Sequence, residues 1–358
     1  DGWLSGTGIL PDQKAVDLAV YRIANSKRPA VIVGYGARES MTEIIAFAEK
    51  INAPVLTTFK AKGQIPDDHP LATGVLGKSG TPVSAYFMNS SDLLIVFGAS
   101  FSQHTGIDAS KPLIQVDNDR MALAKFHGID SPVWGDAALT AERFTEKLSG
   151  ISFPENRYIE IKERRESWRK EKEKLAESVN DKGLNEVRIF SILSSLLPSD
   201  ALISLDVGNN TYSFGRYFEC RDQRVILSGY LGSIGFAFPA ALGAYYAGTG
   251  RPVVSISGDG GFGQYMSEFN TAVLYNINTT HILLNNNELG KISDEQRDEN
   301  LKIWKTELHN PDFSRFALNC GGLGIRVSDI EELKPAVEEA LAYNGPSLVE
   351  IVTDPKLS

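Results

Sequence analysis

A carboxylate set among glycines, where an apolar run gives way to a helical one, can hold an anion and a hard cation together. Ser257-Gly258-Asp259-Gly260-Gly261-Phe262-Gly263 has that composition: it follows the β-branched run 253–257 and precedes a helical run at 266–274. Glycine lets a backbone approach phosphate oxygens closely, and a helix start offers unpaired N–H groups and a partial positive charge. Asp259, at the strand end, offers an oxygen to a cation that bridges two phosphates. Alone, such an Asp-Gly turn reads equally well as a simple chain reversal. A second segment, Asn285-Asn286-Asn287-Glu288-Leu289-Gly290, follows the next apolar run, 280–284, and changes the weight of the first. Neighbouring parallel strands present their carboxyl ends to one crevice, so Asp259 and the Asn286 amide oxygen can share an ion there. Magnesium suits that arrangement, because it takes few protein ligands and completes its octahedron with phosphate oxygens and water.

For those strand ends to meet, the chain must form a parallel sheet, and its first half alternates strand-like and helical stretches accordingly. Apolar runs at 30–34, 53–58, 92–98 and 113–117, with a helix at 42–51 between the first two, have the βαβ pattern of strands buried on both faces. A domain over residues 1–150 is expected. From 155 to 182 the chain is dense in Lys, Arg and Glu, with Ile159, Ile161, Trp168, Leu175 and Val179 thinly spaced, and it closes on Asp181-Lys182-Gly183. This is a charged helical connector, placed at 151–183; the interspersed glutamates cancel the charge a nucleic-acid arm would need. Residues 184–358 restart the pattern, with a helix at 185–197 and strands at 201–206, 253–257, 280–284 and 347–352. The expected fold class is α/β, with two doubly wound parallel-sheet domains.

Composition narrows the partners. The 358-residue chain carries a net charge of -9, which argues against nucleic acid as a general partner, since phosphate backbones need a basic face. The two cysteines, Cys220 and Cys320, are too far apart in sequence for a short-spaced metal or redox motif, and a reducing cytoplasm is the default compartment. No apolar run approaches the roughly 20 residues that span a bilayer. The start, Asp1-Gly2-Trp3-Leu4-Ser5-Gly6, lacks a signal-peptide pattern.

Gly-Asp-Gly followed, after a helix and a buried strand, by Asn-Asn resembles the thiamine diphosphate fingerprint. Over nearly its whole length the chain is similar to the middle and diphosphate-binding domains of the pyruvate oxidase and acetolactate synthase family. The resemblance implies that Asp259, the Asn286 side chain and the Glu288 backbone carbonyl bind Mg2+, with Gly258, Gly260 and Gly261 forming the diphosphate turn and Asn285 structural. It implies diphosphate contacts from Gly208, Asn209 and Asn210 in Asp206-Val207-Gly208-Asn209-Asn210, a stretch that also reads as an asparagine-rich turn. Ser228-Gly229-Tyr230-Leu231-Gly232-Ser233-Ile234-Gly235-Phe236 resembles the segment that holds the aminopyrimidine. There the Gly232 carbonyl and Ile234 N–H would bond the ring, Ser233 would join them in binding the cofactor, and the Ile234 side chain would wedge it into a bent form.

The implied activity is decarboxylation of pyruvate or another 2-oxo acid, with transfer or oxidation of the two-carbon unit. In the family a further N-terminal pyrimidine-binding domain carries the glutamate that activates the cofactor. Its absence before Asp1 leads us to expect a fragment or a split subunit, inactive without that domain, and the family's shared sites imply a homodimer or homotetramer. The rival reading is a noncatalytic subunit or scaffold that keeps the fold. A nicotinamide dehydrogenase rests on fold analogy alone and lacks a full glycine fingerprint. The resemblance leaves FAD open, since some family members bind it in the middle domain. Gly34-Tyr35-Gly36-Ala37-Arg38 and the stretch from Gly98 to Gly106 lie at suitable strand ends, and packed turns explain both equally well. At Gln103-His104 the sequence departs from the arginine often seen in flavin-binding synthases. His104 and His281 read as turn or sheet residues, Glu268 as a helix-dipole residue, and 291–305 as either a lid or a solvated helix.

Overall fold

The computed structural model describes residues 8–101, 105–153, 157–178 and 183–354. The chain divides into two compact units, Asp1–Arg169 and Lys170–Ser358. The first contains strands β1 (Pro29–Val33), β2 (Val55–Thr57), β3 (Ala72–Val75), β4 (Leu93–Phe97), β5 (Leu113–Asp117) and β6 (Ser131–Trp134). They form one parallel sheet in the order β3-β2-β1-β4-β5-β6. Helices α1 (Gln13–Asn25), α2 (Met41–Lys50), α3 (Pro82–Ser90) and α4 (Ala137–Lys147) accompany it. Every residue of β1 and β4 is buried, as expected for strands covered on both faces. Side chains fix the helix starts: Asp12 caps α1, Asp136 caps α4, and Thr81 caps α3 just before Pro82.

The charged connector forms α5 (Arg157–Ala176), and the division between the units falls inside it. Its sparse apolar residues are used unequally: Ile161 and Trp168 are buried, whereas Ile159 is exposed. Val179 and Gly183's neighbours Asp181 and Lys182 lie outside the described residues.

The second unit contains β7 (Leu202–Leu205), β8 (Arg224–Leu227), β9 (Val253–Gly258), β10 (Thr280–Asn285), β11 (Leu323–Val327) and β12 (Ser347–Val352). Its sheet is also parallel, in the order β11-β12-β10-β9-β7-β8. The helices are α6 (Glu186–Leu196), α7 (Asn209–Tyr217), α8 (Ala237–Tyr246), α9 (Asp259–Tyr265), α10 (Glu268–Leu274), α11 (Gly290–Asp298), α12 (Phe313–Cys320) and α13 (Ile330–Ala342). The doubly wound α/β class expected for both halves is the class observed.

Two expectations need correction. The helix placed at 266–274 begins at Asp259, and Met266-Ser267 separates α9 from α10. Glycine-rich α9 has poor intrinsic propensity, and packing overrides it: Phe262 is buried in a cluster with Phe238, Phe269 and Phe313, and its ring stacks on His281 at 4.4 Å. The outer strands β3, β6, β8 and β11 went unread because they are short or only partly buried and lack the continuous apolar run of β4 or β10. Among the described residues no helix is long and apolar enough to cross a membrane.

Candidate active site at three strand ends

The order of the second sheet reverses between β7 and β9: β8 lies outside β7, while β10 and β12 continue beyond β9. At such a point the connections leave in opposite directions and open a crevice beyond the carboxyl ends of the strands. Gly208, Asn209 and Asn210 follow β7, Gly258 ends β9 with Asp259 opening α9, and Asn285 ends β10 with Asn286 next. Leu284 pairs with Gly258 in register, so the two sequence motifs leave the sheet side by side.

Asp259 is 3% exposed, and its carboxylate is held from several directions. Gly260 N–H donates to Oδ1 at 2.9 Å. Asn287 N–H and Asn310 Nδ2 each donate to Oδ2 at 2.7 Å. Burial pushes its carboxyl up to about 6, against the pull of these donors. Asn286 Oδ1 accepts from Glu288 N–H at 3.0 Å and keeps a second lone pair. The Glu288 side chain turns into α11, where Ser293 Oγ donates to it, while its backbone forms an antiparallel bridge with Glu307. Asn285 is buried and donates to Glu350 Oε1 at 2.7 Å, in keeping with a structural role.

On the β7 side, Asn210 is 5% exposed and its Nδ2 has no hydrogen-bond partner among the described residues. A buried amide donor left unsatisfied costs about 1–3 kcal/mol, so it marks a place where a polar ligand is wanted. Asn209 Nδ2 donates to Asp294 Oδ2 of α11 at 3.0 Å. A methyl group at Gly290, the first residue of α11, would lie 3.0 Å from Asn209 Nδ2 and 3.4 Å from Asn286 Nδ2. The start of α11 therefore joins the two asparagines. Among the described residues no three His, Cys, Asp or Glu side chains come together. Asp259 and Asn286 offer a carboxylate and an amide oxygen at the crevice, a pair that suits magnesium completed by phosphate and water.

The glycines also meet a steric demand within the chain. A methyl group at Gly260 would lie 2.6 Å from Leu289 Cδ2, and one at Gly261 would lie 2.7 Å from Asp206 Oδ2. Both positions are small because neighbouring segments pack against them. Gly258 is more open, its nearest such contact being Asn210 Oδ1 at 3.7 Å.

Gly232 and Ser233 sit in an exposed loop, and Ile234 is half-buried. What ties this loop to the site is Asp206, which sequence reasoning passed over as a strand end. Its buried carboxylate accepts from Gly235 N–H at 2.9 and 3.1 Å and from Val207 N–H at 2.7 Å. Asn310 was missed as well: it precedes a proline, and an Asn-Pro pair in sequence signals only a turn. His281 is a sheet residue in β10, fully buried between Ser255 and Ser257, and burial pushes its imidazole down to about 3. His104 lies outside the described residues.

Comparison with known proteins identifies the family of both domains. Residues 16–144 match the central domain of thiamine pyrophosphate enzymes, and residues 206–351 match their C-terminal TPP binding domain. A thiamine pyrophosphate-containing protein of Bacillus subtilis is 33% identical, across 95% of this chain and 59% of its own length. An acetolactate synthase of Arabidopsis thaliana is 30% identical, across 98% of this chain and 55% of its own. A sulfoacetaldehyde acetyltransferase of Castellaniella defragrans is 27% identical, across 92% and 60%. The chain thus spans between 55% and 60% of the length of these three relatives. With both domain matches falling on the two sheets, the chain belongs to the thiamine pyrophosphate enzyme family.

Proposed function

We propose that this chain is the cofactor-holding part of a thiamine diphosphate- and Mg2+-dependent enzyme that decarboxylates pyruvate or another 2-oxo acid and transfers or oxidises the two-carbon unit. The observation that carries the reading is the meeting, at one sheet reversal, of Asn210's unpartnered amide, the Asp259 carboxylate and the Asn286 amide oxygen. When bound, thiamine diphosphate supplies a carbon nucleophile and an electron sink for the loss of carbon dioxide. Asp259, Asn286 and the Glu288 carbonyl hold the cation. Gly208, Asn209, Asn210, Gly258, Gly260 and Gly261 surround the diphosphate, and Gly232, Ser233 and Ile234 hold the aminopyrimidine. The relatives named for acetolactate synthesis and acetyl transfer support a two-carbon unit as cargo.

In this reading residues 1–150 are the middle domain, 151–183 the connector and 184–358 the diphosphate-binding domain. A pyrimidine-binding domain, from the same polypeptide or a partner chain, contributes the activating glutamate. The working form is a cytoplasmic homodimer or homotetramer. FAD is not needed for decarboxylation itself, and among the described residues of the first sheet the two candidate turns pack closely: a methyl group at Gly34 would lie 2.2 Å from the Gly98 carbonyl oxygen. Gly36 N–H donates to that same oxygen at 3.0 Å, so the two turns close on each other.

Calorimetric titration with thiamine diphosphate and Mg2+ tests the reading: wild type should give a metal-dependent heat that Asp259→Ala loses. A flat wild-type titration would contradict it. Carbon dioxide release from pyruvate, measured with and without an added pyrimidine-binding domain, separates an enzyme from a noncatalytic scaffold, since restored turnover is incompatible with the scaffold.

A further inference from the structure

We propose that Asn310 is a positioning residue for the divalent cation, holding Asp259 so that one carboxylate oxygen stays turned to the ion. This rests on the cation site proposed above. Asn310 Nδ2 has two hydrogens, and both are directed: one bond runs to Asp259 Oδ2 at 2.7 Å, the other to Asn285 Oδ1 at 3.0 Å. With Asn287 N–H also on Oδ2 at 2.7 Å, that oxygen has both its lone pairs engaged. Oδ1 accepts from Gly260 N–H and from no other residue's side chain or backbone among the described residues, so it retains a lone pair for a cation. The two oxygens of one carboxylate are thereby made unequal, and Asn310 is half of the reason.

The clamp is itself anchored. Asn285 donates to Glu350 Oε1 on β12, a fully buried carboxylate that also accepts from Arg326 Nη1 at 2.8 Å and from Ser314 N–H at 3.0 Å. On the other side, Leu289 N–H bonds the Thr306 carbonyl and Leu308 N–H bonds the Asn287 carbonyl, both at 2.8 Å. These bonds fasten the segment leading to Asn310 onto the loop that carries Asn286 and Glu288. Asp312 then caps α12 and fixes the chain just beyond. A charge-assisted hydrogen bond of this kind orients more strongly than a neutral one, and the carboxylate it orients has little freedom to find water instead.

The test uses the full chain and measures thiamine diphosphate affinity twice, in Mg2+ and in EDTA, for wild type, Asn310→Ala and Asn310→Leu. The leucine keeps the heavy-atom count and the branching at Cγ and removes both donors, so it carries the test if the alanine variant fails to fold by circular dichroism. The expected result is affinity in Mg2+ weakened about tenfold, affinity in EDTA unchanged, and an altered electron paramagnetic resonance line shape for bound Mn2+. Equal losses with and without the ion would mean a purely structural role and overturn the inference, as would no change in either. A wild type with no metal-dependent component removes the cation site, and this inference with it; a normal wild type with unaffected variants removes the inference alone.

Discussion

Asp206 and Asp259 are both buried carboxylates, and burial raises both above the ordinary aspartate range. They differ in what surrounds them. Asp206 is spent on backbone N–H groups and stands under Gly261, whereas Asp259 keeps capacity for a ligand. The steric consequence is specific. Gly261→Ala drives a methyl group into a carboxylate that its donors keep from moving, and should cost about 1–3 kcal/mol in urea unfolding. Gly260→Ala meets the mobile side-chain ends of Leu289 and Leu308 and should cost clearly less; the reverse order would refute this account. Glu186 gives a pH prediction. It is buried at the first turn of α6, its Oε2 has no partner among the described residues, and burial pushes its carboxyl up to about 7 despite a hydrogen bond from Ser213. The folded state therefore holds this proton more tightly than the unfolded chain. The stabilisation is complete below the ordinary value of 4.5 and is lost as pH rises through about 7. The loss amounts to about 3 kcal/mol across that window. Urea midpoints at acid and alkaline pH should diverge in wild type and converge in Glu186→Gln; parallel profiles would dismiss the assignment.

Among the elements, α11 decides how the cofactor side of the sheet is closed. The stretch 291–305 read as either a lid or a solvated helix, and its first part is helix with Ile292 partly exposed, followed by a loop with Leu301, Ile303 and Trp304 exposed. Charged side chains hold that helix to α7: Asp294 Oδ2 accepts from Asn209 Nδ2 at 3.0 Å while its Oδ1 pairs with Arg297 at 2.5 Å, and Lys291 Nζ lies 5.4 Å from the centre of the Tyr212 ring. A carboxylate thus sits on an amide proposed to serve the diphosphate, and its negative charge opposes that of the diphosphate. Asp294→Ala should speed amide hydrogen exchange across 290–298 and tighten thiamine diphosphate binding several-fold. Unchanged exchange would show that other contacts hold the helix, and weaker binding would show that Asp294 assists the anion.

At the scale of the molecule, two doubly wound sheets of different strand order have different fates at their reversals. In the first, the switch lies between β1 and β4, and the turns at Gly34 and Gly98 fill it with backbone. In the second, the reversal between β7 and β9 stays lined by polar side chains. The same architecture therefore yields a packed joint in one unit and a candidate site in the other, which is why fold alone does not assign function. We expect the purified chain to lack the visible absorbance of bound flavin; a flavin spectrum that survives gel filtration would contradict the closed reading of the first switch.

The linear sequence by itself determined the class of fold and the chemical character of the site. Short continuous apolar runs that alternate with helical stretches mark strands buried on both faces, and Gly-Asp-Gly with Asn-Asn leaves two such strands at neighbouring ends. Short-range pattern could reach that far because each signal lies within one element and its exit turn. Tertiary structure decided the rest: that α9 begins at Asp259, that Gly261 is small because of Asp206, and that Asn310 reaches Asp259 across a long separation in sequence. Asp206 and Asn310 carry no local signal, since an aspartate after a strand and an asparagine before a proline are ordinary turn residues. Their meaning comes from hydrogen bonds whose donors and acceptors are brought together only when the buried sheet fixes where its strands end.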